Sequence, residues 1–322
     1  MSKFVSKLIR FTETLVRSIR RARVPWFSCP KSKHTYRQYQ HLAVLGLMKY
    51  LRSDYRGIVD QLHSMPGVMA ALGMYQLPHW TTLQKFLQRF SRYRFDGLLA
   101  KTVSLFQCAK SIVAVDATGF SNDHASKYYA WRTGTVHRSY TRSTVAIDAN
   151  SLCIAAQHSS CSEGQGGENT FFIPLVSRAA SRLCISAVVA DKAYDSEFNH
   201  EFVRQDIGAQ CLIPVRRGWK NGTVKGYYRL KLMKQFNQRL YHRRSMVETV
   251  FSVMKRKFGS TVNSRLLPMQ NKEAALLAVV YNVYRYVNTH TEALFCYVFY
   301  SALITVRAHP WNVHKAKIPA RP

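Results

Sequence analysis

The chain has 322 residues and sets 47 Lys and Arg against 17 Asp and Glu, a formal charge of +30 with a sequence pI near 10.2. So strong a positive field calls for a polyanionic partner, and nucleic acid is the foremost of these. A membrane span is excluded on length, because the longest apolar window, Ala293 to Val306, is broken by Ser301 and Thr305 and falls short of the roughly 20 residues required.

At the N-terminus Phe4, Leu8, Phe11, Leu15 and Ile19 recur helically among Lys7, Arg10, Arg17, Arg20 and Arg21, which is not the unbroken apolar core of a signal peptide. Helical spacing continues to about Phe106, as in Tyr39, Leu42, Leu45, Met48 and Leu51, with interruptions at Asp54, Pro66 and Pro78. Residues 1–106 are therefore expected to form an all-helical, DNA-binding domain. Within it, Asp54 to His63 and Thr81 to Phe90, separated by breaks at Met65-Pro66-Gly67 and Leu77-Pro78, resemble a helix-turn-helix. Lys85, Arg89, Arg92 and Arg94 would be available there to phosphates or base edges.

From Ser111 the texture changes to short β-branched runs: Ile112 to Val115, Thr144 to Ile147, Leu152 to Ala156, Val188 to Ala190 and Cys211 to Val215. Helical patterns follow at Glu168 to Leu183, Ser196 to Gln205 and Gln238 to Phe258. Leading strands that then alternate with helices predict an α/β domain, a mixed sheet with flanking helices, over residues 107–290. Residues 291–322 form a C-terminal extension whose basic, Pro-containing tail from Arg307 is expected to be poorly ordered.

Seven cysteines, an odd number without a C-x-x-C pair, read as reduced core residues, with neither a disulfide frame nor a zinc site. The twelve histidines show no metal-ligand spacing. Gly164, Gly166 and Gly167 do not follow the order of a phosphate-binding loop and read as a plain connection.

In so basic a chain, acids at the edge of a core are informative. Asp116 ends Ile112-Val113-Ala114-Val115 and Asp191 ends Ala187-Val188-Val189-Ala190. Each run is too short for a helix and suits a buried strand, which places each carboxylate at a strand's carboxyl end, where α/β folds gather ligands. Asp148, after Val145-Ala146-Ile147, has the same grammar and is the reserve candidate, with Asp123 behind it. Asp195 precedes a helix and reads as an N-cap.

On a helix drawn over Gln238 to Phe258, Tyr241, Arg244, Glu248 and Lys255 fall within about a 60° arc, while Met246, Val247, Val250, Val253, Met254 and Phe258 lie opposite. Between Asp206 and Glu248 there is no acid and there are ten Lys or Arg, among them Arg216, Arg217 and Lys220. Gly218, Asn221, Gly222 and Gly226 predict a flexible loop there, with Trp219, Tyr227 and Tyr228 as rings able to stack on bases. Three carboxylates beside such a stretch suggest divalent metal acting on a polyanion.

The string Tyr241-x2-Arg244-x3-Glu248-x6-Lys255 resembles the Y-x2-R-x3-E-x6-K signature of bacterial and archaeal insertion-sequence DDE transposases. Val115-Asp116-Ala117-Thr118-Gly119-Phe120 is similar to the motif around their first aspartate, and Ala190-Asp191-Lys192-Ala193-Tyr194-Asp195 to the one around their second, with Ala193 where a glycine is common. The likeness covers about Ser111 to Val287, and the short interval from Asp191 to Glu248 leaves no room for the large β-rich insertion of some relatives. The resemblance implies a ribonuclease H-like fold, with Asp116, Asp191 and Glu248 as the catalytic, metal-holding triad for two Mg²⁺ ions, for which Mn²⁺ can substitute. It implies that Arg244 and Lys255 hold phosphates and that Tyr241 positions backbone or a base. It further implies double-stranded DNA partners (terminal inverted repeats and target), a homodimer in the synaptic complex, no membrane, and a cytoplasmic, nucleoid-associated location in a prokaryote. A nuclease of the same fold that cuts without joining, and a noncatalytic DNA-binding derivative, are the alternatives.

Overall fold

The computed structural model describes residues 6–122, 140–161, 168–216 and 224–307. Asp123, Gly164, Gly166, Gly167, Arg217, Gly218, Trp219, Lys220, Asn221, Gly222 and the tail from residue 308 therefore lie outside the described residues.

Six helices come first: α1 (Lys7–Arg21), α2 (Gln38–Tyr50), α3 (Tyr55–His63), α4 (Pro66–Leu72), α5 (Trp80–Arg89) and α6 (Arg92–Val103). Helix α1 starts where the Ser6 side chain accepts from the backbone N–H of Ile9, and it buries the Phe11, Leu15, Ile19 stripe. Helix α2 is buried on nearly every side, as its run of apolar residues from Leu42 to Met48 requires. Asp54 caps α3 by accepting from Gly57 N–H at 2.6 Å. The expected break at Met65-Pro66-Gly67 is instead the start of α4: Pro66 sits in the first turn, where its fixed φ and missing N–H suit a helix. Gly73 closes α4 with φ 63°. The arrangement is thus α3, α4, α5 rather than two helices and a turn.

The sheet has strands β1 (Ser111–Asn122), β2 (Tyr140–Asp148), β3 (Ile154–Cys161), β4 (Ile185–Ala190), β5 (Gln210–Leu212) and β6 (Thr261–Val262). Its order is β3-β2-β1-β4-β5, with β2 antiparallel to both neighbours, β4 and β5 parallel to β1 and to each other, and β6 paired with the end of β1. This is a ribonuclease H-like sheet. The remaining helices are α7 (Phe172–Ala180), α8 (Glu197–Glu201) followed by a π-helical turn over Phe202–Asp206, α9 (Tyr227–Lys234), α10 (Gln238–Tyr241), α11 (Ser245–Phe258) and the long α12 (Leu267–Arg307). No helix among the described residues is long and apolar enough to cross a membrane.

Alternation along the strands assigns two faces. Val113, Val115, Val188 and Ala190 point to a layer built on α7, whereas Ala114, Val189, Val145 and Ile147 point to α11, α12 and the N-terminal helices. One continuous core therefore runs from α1 and α2 through α12 to the sheet. Polar ties reinforce it. Asn282 of α12 donates to Thr102 Oγ1 of α6 and to Ile154 O and accepts from Ile154 N–H, which pairs backbone groups of the edge strand β3. Arg178 and Arg182 reach the β3 carbonyls of Gln157 and Ala155 and both pair with Asp96 of α6.

Candidate active site

Asp116 does not end its strand, as the sequence suggested; β1 continues to Asn122 because β2 pairs with it as far as Ser121. What stops at Asp116 is the parallel pairing with β4. Val113, Ala114 and Val115 are in register with Val188, Val189 and Ala190, after which β4 ends. Asp116 and Asp191 are the next residues on the two strands, and both share the face of Ala114 and Val189, the face covered by α11. Asp116 Oδ1 accepts from Ala117 N–H at 2.8 Å, and Asp191 Oδ1 from Lys192 N–H at 2.6 Å.

Over them lies the helix carrying Glu248. It is not uniform: α10 passes into α11 through a 3₁₀ turn at His242–Arg244, and that turn packs on β1 and β4. The guanidinium of Arg244 donates to Asp116 Oδ2 at 3.1 Å and to Glu248 Oε1 at 2.9 Å, so it stands between two of the three carboxylates. Burial disfavours the charge on Arg244, but Tyr241, Asp116, Glu248 and Asp191 outweigh it and raise the pKa above the ordinary arginine value. Burial also raises the Tyr241 hydroxyl, with Arg244 opposing and Asp191 and Asp116 adding to the rise. Asp116, Asp191, Glu248, Tyr241 and Arg244 thus share one electrostatic neighbourhood.

Lys255 lies two turns further along α11, about 10 Å from Glu248 at the helical rise, and is half-buried. Asp148 is not brought to this place. It pairs with Val113, three residues or about 10 Å along the sheet from the level of Asp116, and it faces the other layer. Lys85 and Arg89 are exposed on α5, opposite its buried Leu83, Phe86 and Leu87; Arg92 is partly committed, donating to Ser159 O of β3 at 3.0 Å.

Beside the site, Asp195 is not the expected N-cap; Ser196 caps α8 by accepting from Asn199 N–H. The Asp195 side chain is fully buried and accepts from Arg229 Nη2 at 2.7 Å, from Arg216 N–H at 2.6 Å and pairs with His200 Nε2 at 3.3 Å. Burial would raise its pKa, yet His200, Arg229 and Arg216 N–H together hold it below the usual carboxylate value. Tyr227 and Tyr228, read as loop rings, begin α9, because Glu197 accepts from the backbone N–H groups of Tyr228 and Arg229 and so satisfies the start of that helix. Gly226 is required there: its φ is 110° and a Cβ would collide with the Glu197 carboxylate. Arg216 is exposed, with its backbone held at both ends by Asp195 and Arg229. Asp195→Asn should cost about 1.5–3 kcal/mol through hydrogen bonds to charged partners. Hydrogen exchange over residues 224–234 should quicken, and unchanged protection would show that Asp195 does not hold this segment.

Residues 107–283, more than half of the chain, match the transposase DDE domain family. The chain belongs to that family. The DDE domain so defined contains both aspartates, Glu248 and the whole sheet. Among solved structures the chain is similar to piggyBac transposase in a cryo-EM structure of its synaptic complex with hairpin DNA, at 8% identity and a TM-score of 0.47, over 90% of this chain and 76% of that one. No curated protein matches it at a significant level.

The DDE domain also holds a cluster that the sequence did not announce. Among the described residues, the group of three metal-capable donors lying within 4.8 Å of one another is Cys108, Asp148 and Cys153, not the three carboxylates above. Separations of 40 and 5 residues conceal it, since the β2–β3 hairpin brings Asp148 and Cys153 together and the pairing of β1 with β2 brings the connection carrying Cys108 beside them. Cys184, expected in the core, is exposed in the turn before β4.

Proposed function

We propose that the protein is a DNA transposase that binds the terminal inverted repeats of its element, cleaves the ends and joins them to target DNA, with Asp116, Asp191 and Glu248 as its catalytic carboxylates. The observation that carries this reading is the adjacency of Asp116 and Asp191 on one face of the sheet beneath a helix that presents Glu248. The donor set suits Mg²⁺, since carboxylate oxygens are hard ligands and the site already favours positive charge, that of Arg244, between two of them. Two such ions, or Mn²⁺ in their place, would supply stabilisation of the attacking and leaving oxygens of in-line displacement at phosphorus. Asp116, Asp191 and Glu248 would hold them.

The chain's own residues account for the rest. Release of the Arg244 pairs withdraws the guanidinium from Asp116 Oδ2 and Glu248 Oε1 and leaves a fork suited to phosphate. Tyr241, in the same electrostatic neighbourhood as Arg244, would position backbone or a base. Lys255, Lys85, Arg89, Arg216, Arg217 and Lys220 are the further phosphate contacts of this reading. Water serves as the first nucleophile and the freed 3′-hydroxyl as the second, in a homodimeric synaptic complex.

The test is a plasmid carrying the gene with its flanking DNA, incubated with the purified protein and Mg²⁺. Cleavage at the element's ends and products joined to a second plasmid are expected, and chelation should abolish both. Cleavage without joining would make the protein a nuclease; binding without cleavage would make it a noncatalytic derivative. If Arg216, Arg217 and Lys220 contact DNA, changing all three to Gln should weaken binding to every duplex. It should also flatten the slope of log affinity against log salt by up to about 0.9 per lost contact. An unaltered slope would remove them from the interface.

A further inference from the structure

We propose that Cys108, Asp148 and Cys153 form a binding site for a thiophilic divalent cation, Zn²⁺ foremost, at the end of the sheet away from the catalytic carboxylates. Asp148 and Cys153 are buried, Cys108 is half-buried and gives access from solvent, and one donor atom from each lies within 4.8 Å of the others. Cys108 Sγ is 3.5 Å from Asp148 Oδ2. Tetrahedral zinc, with bonds of about 2.3 Å to sulfur and about 2.1 Å to oxygen, puts such ligand atoms about 3.6 Å apart, so the Asp148 carboxylate stands within ligating range of the thiol, Oδ2 being held by Ser151 and Oδ1 being the oxygen left for the cation.

A second observation also points to a ligand. Asp148 Oδ2 accepts from Ser151 N–H at 2.9 Å and from Ser151 Oγ at 2.7 Å, whereas Oδ1 is buried with no hydrogen-bond partner among the described residues. A buried carboxylate oxygen without a donor is costly, and a cation satisfies it. Ser151 then plays the part of the outer hydrogen bond that fixes a ligating carboxylate. Two thiolates and one carboxylate around Zn²⁺ sum to one negative charge. Arg243 and Arg285, which hold the neighbouring carbonyls of Ala149 and Ser151, balance it. Binding sends the two thiol protons to solvent. The cation would staple the connection between α6 and β1, which carries Cys108, to the β2–β3 hairpin, which carries the other two ligands. Three protein ligands leave the fourth position to water, on the Cys108 side.

The site is independent of the transposase reading, because it lies on the opposite face of the sheet and uses soft donors. The probe is Co²⁺, titrated into the reduced, chelator-treated full chain and then displaced by Zn²⁺. One equivalent should give a thiolate-to-cobalt charge-transfer band, and Zn²⁺ should raise the melting temperature. Cys108→Ser should abolish the band and the thermal shift, and Asp148→Asn should weaken Zn²⁺ at least about tenfold. Cys29→Ser and Cys184→Ser, both at exposed positions, and Asp116→Asn should keep the band. Should Cys153→Ser fail to fold, the half-buried Cys108 carries the test. No band in the reduced wild type, a band that survives Cys108→Ser, or Zn²⁺ affinity indifferent to Asp148→Asn would each overturn the assignment.

Discussion

Asp116→Asn, Asp191→Asn and Glu248→Gln should each lower cleavage by about a thousandfold or more, some 4 kcal/mol of barrier, while DNA binding stays at or above the wild-type level. The two halves of this expectation have separate causes. Each change removes an anionic oxygen donor from the place where Asp116 and Asp191 leave the sheet together under Glu248. Each also removes a negative charge from a chain of net charge +30, so phosphate attraction has no reason to fall. Asp148→Asn should leave cleavage nearly intact, since its carboxylate faces the other layer of the sheet. Single-turnover cleavage beside a binding isotherm at fixed salt would decide it. If Asp191→Asn cleaves normally while Asp148→Asn or Asp195→Asn is inactive, the triad is misassigned.

The parts of this site that were legible in the sequence are those fixed by local periodicity. Val113 to Val115 and Val188 to Ala190 announce buried strands by their composition, and the spacing of Arg244 and Glu248 announces a shared helix face, which the observed pair of hydrogen bonds uses. Strand length was not legible: the apolar run Ile112 to Val115 reads as ending at Asp116, yet β2 lies alongside and extends β1 beyond it. Asp195 illustrates a second limit. An acid before a helix is commonly a cap, and nothing in the neighbouring residues says that Arg229, 34 positions away, will bury it in an ion pair. The same holds for Cys108, Asp148 and Cys153, and for the core. Apolar stripes on α1 and α2 declare that they are covered, but not that α12 covers them. The sequence suggests a reader and a catalyst divided near residue 106. The packing joins the two regions through one core, so cutting there would expose α12 and the face of the sheet beneath it.

That joint includes the buried ion pair of Lys49 in α2 with Glu273 in α12, whose side chains are 10% and 5% exposed. Glu273 also accepts from the backbone N–H groups of Asn263 and Ser264, both at 3.0 Å, and so ties in the segment after β6. Glu273→Gln leaves the Lys49 ammonium buried without a counter-charge, and about 3–5 kcal/mol of stability should be lost. Lys49→Met together with Glu273→Gln should cost less than the sum of the single changes, because the stranded charge is gone. Burial alone would raise the Glu273 pKa, but Lys49 and the two N–H donors outweigh it and the net shift is downward. A carboxyl depressed in the folded state contributes its full stability above its unfolded pKa, about 4.3, and loses it as pH falls through the folded value. Denaturation at neutral pH and at successively lower pH should therefore show the wild type losing more stability on acidification than Glu273→Gln, the two curves converging in acid. Parallel curves, or a neutral-pH difference below about 1 kcal/mol, the range of exposed pairs, would mean that water reaches this pair and that it does not hold the joint.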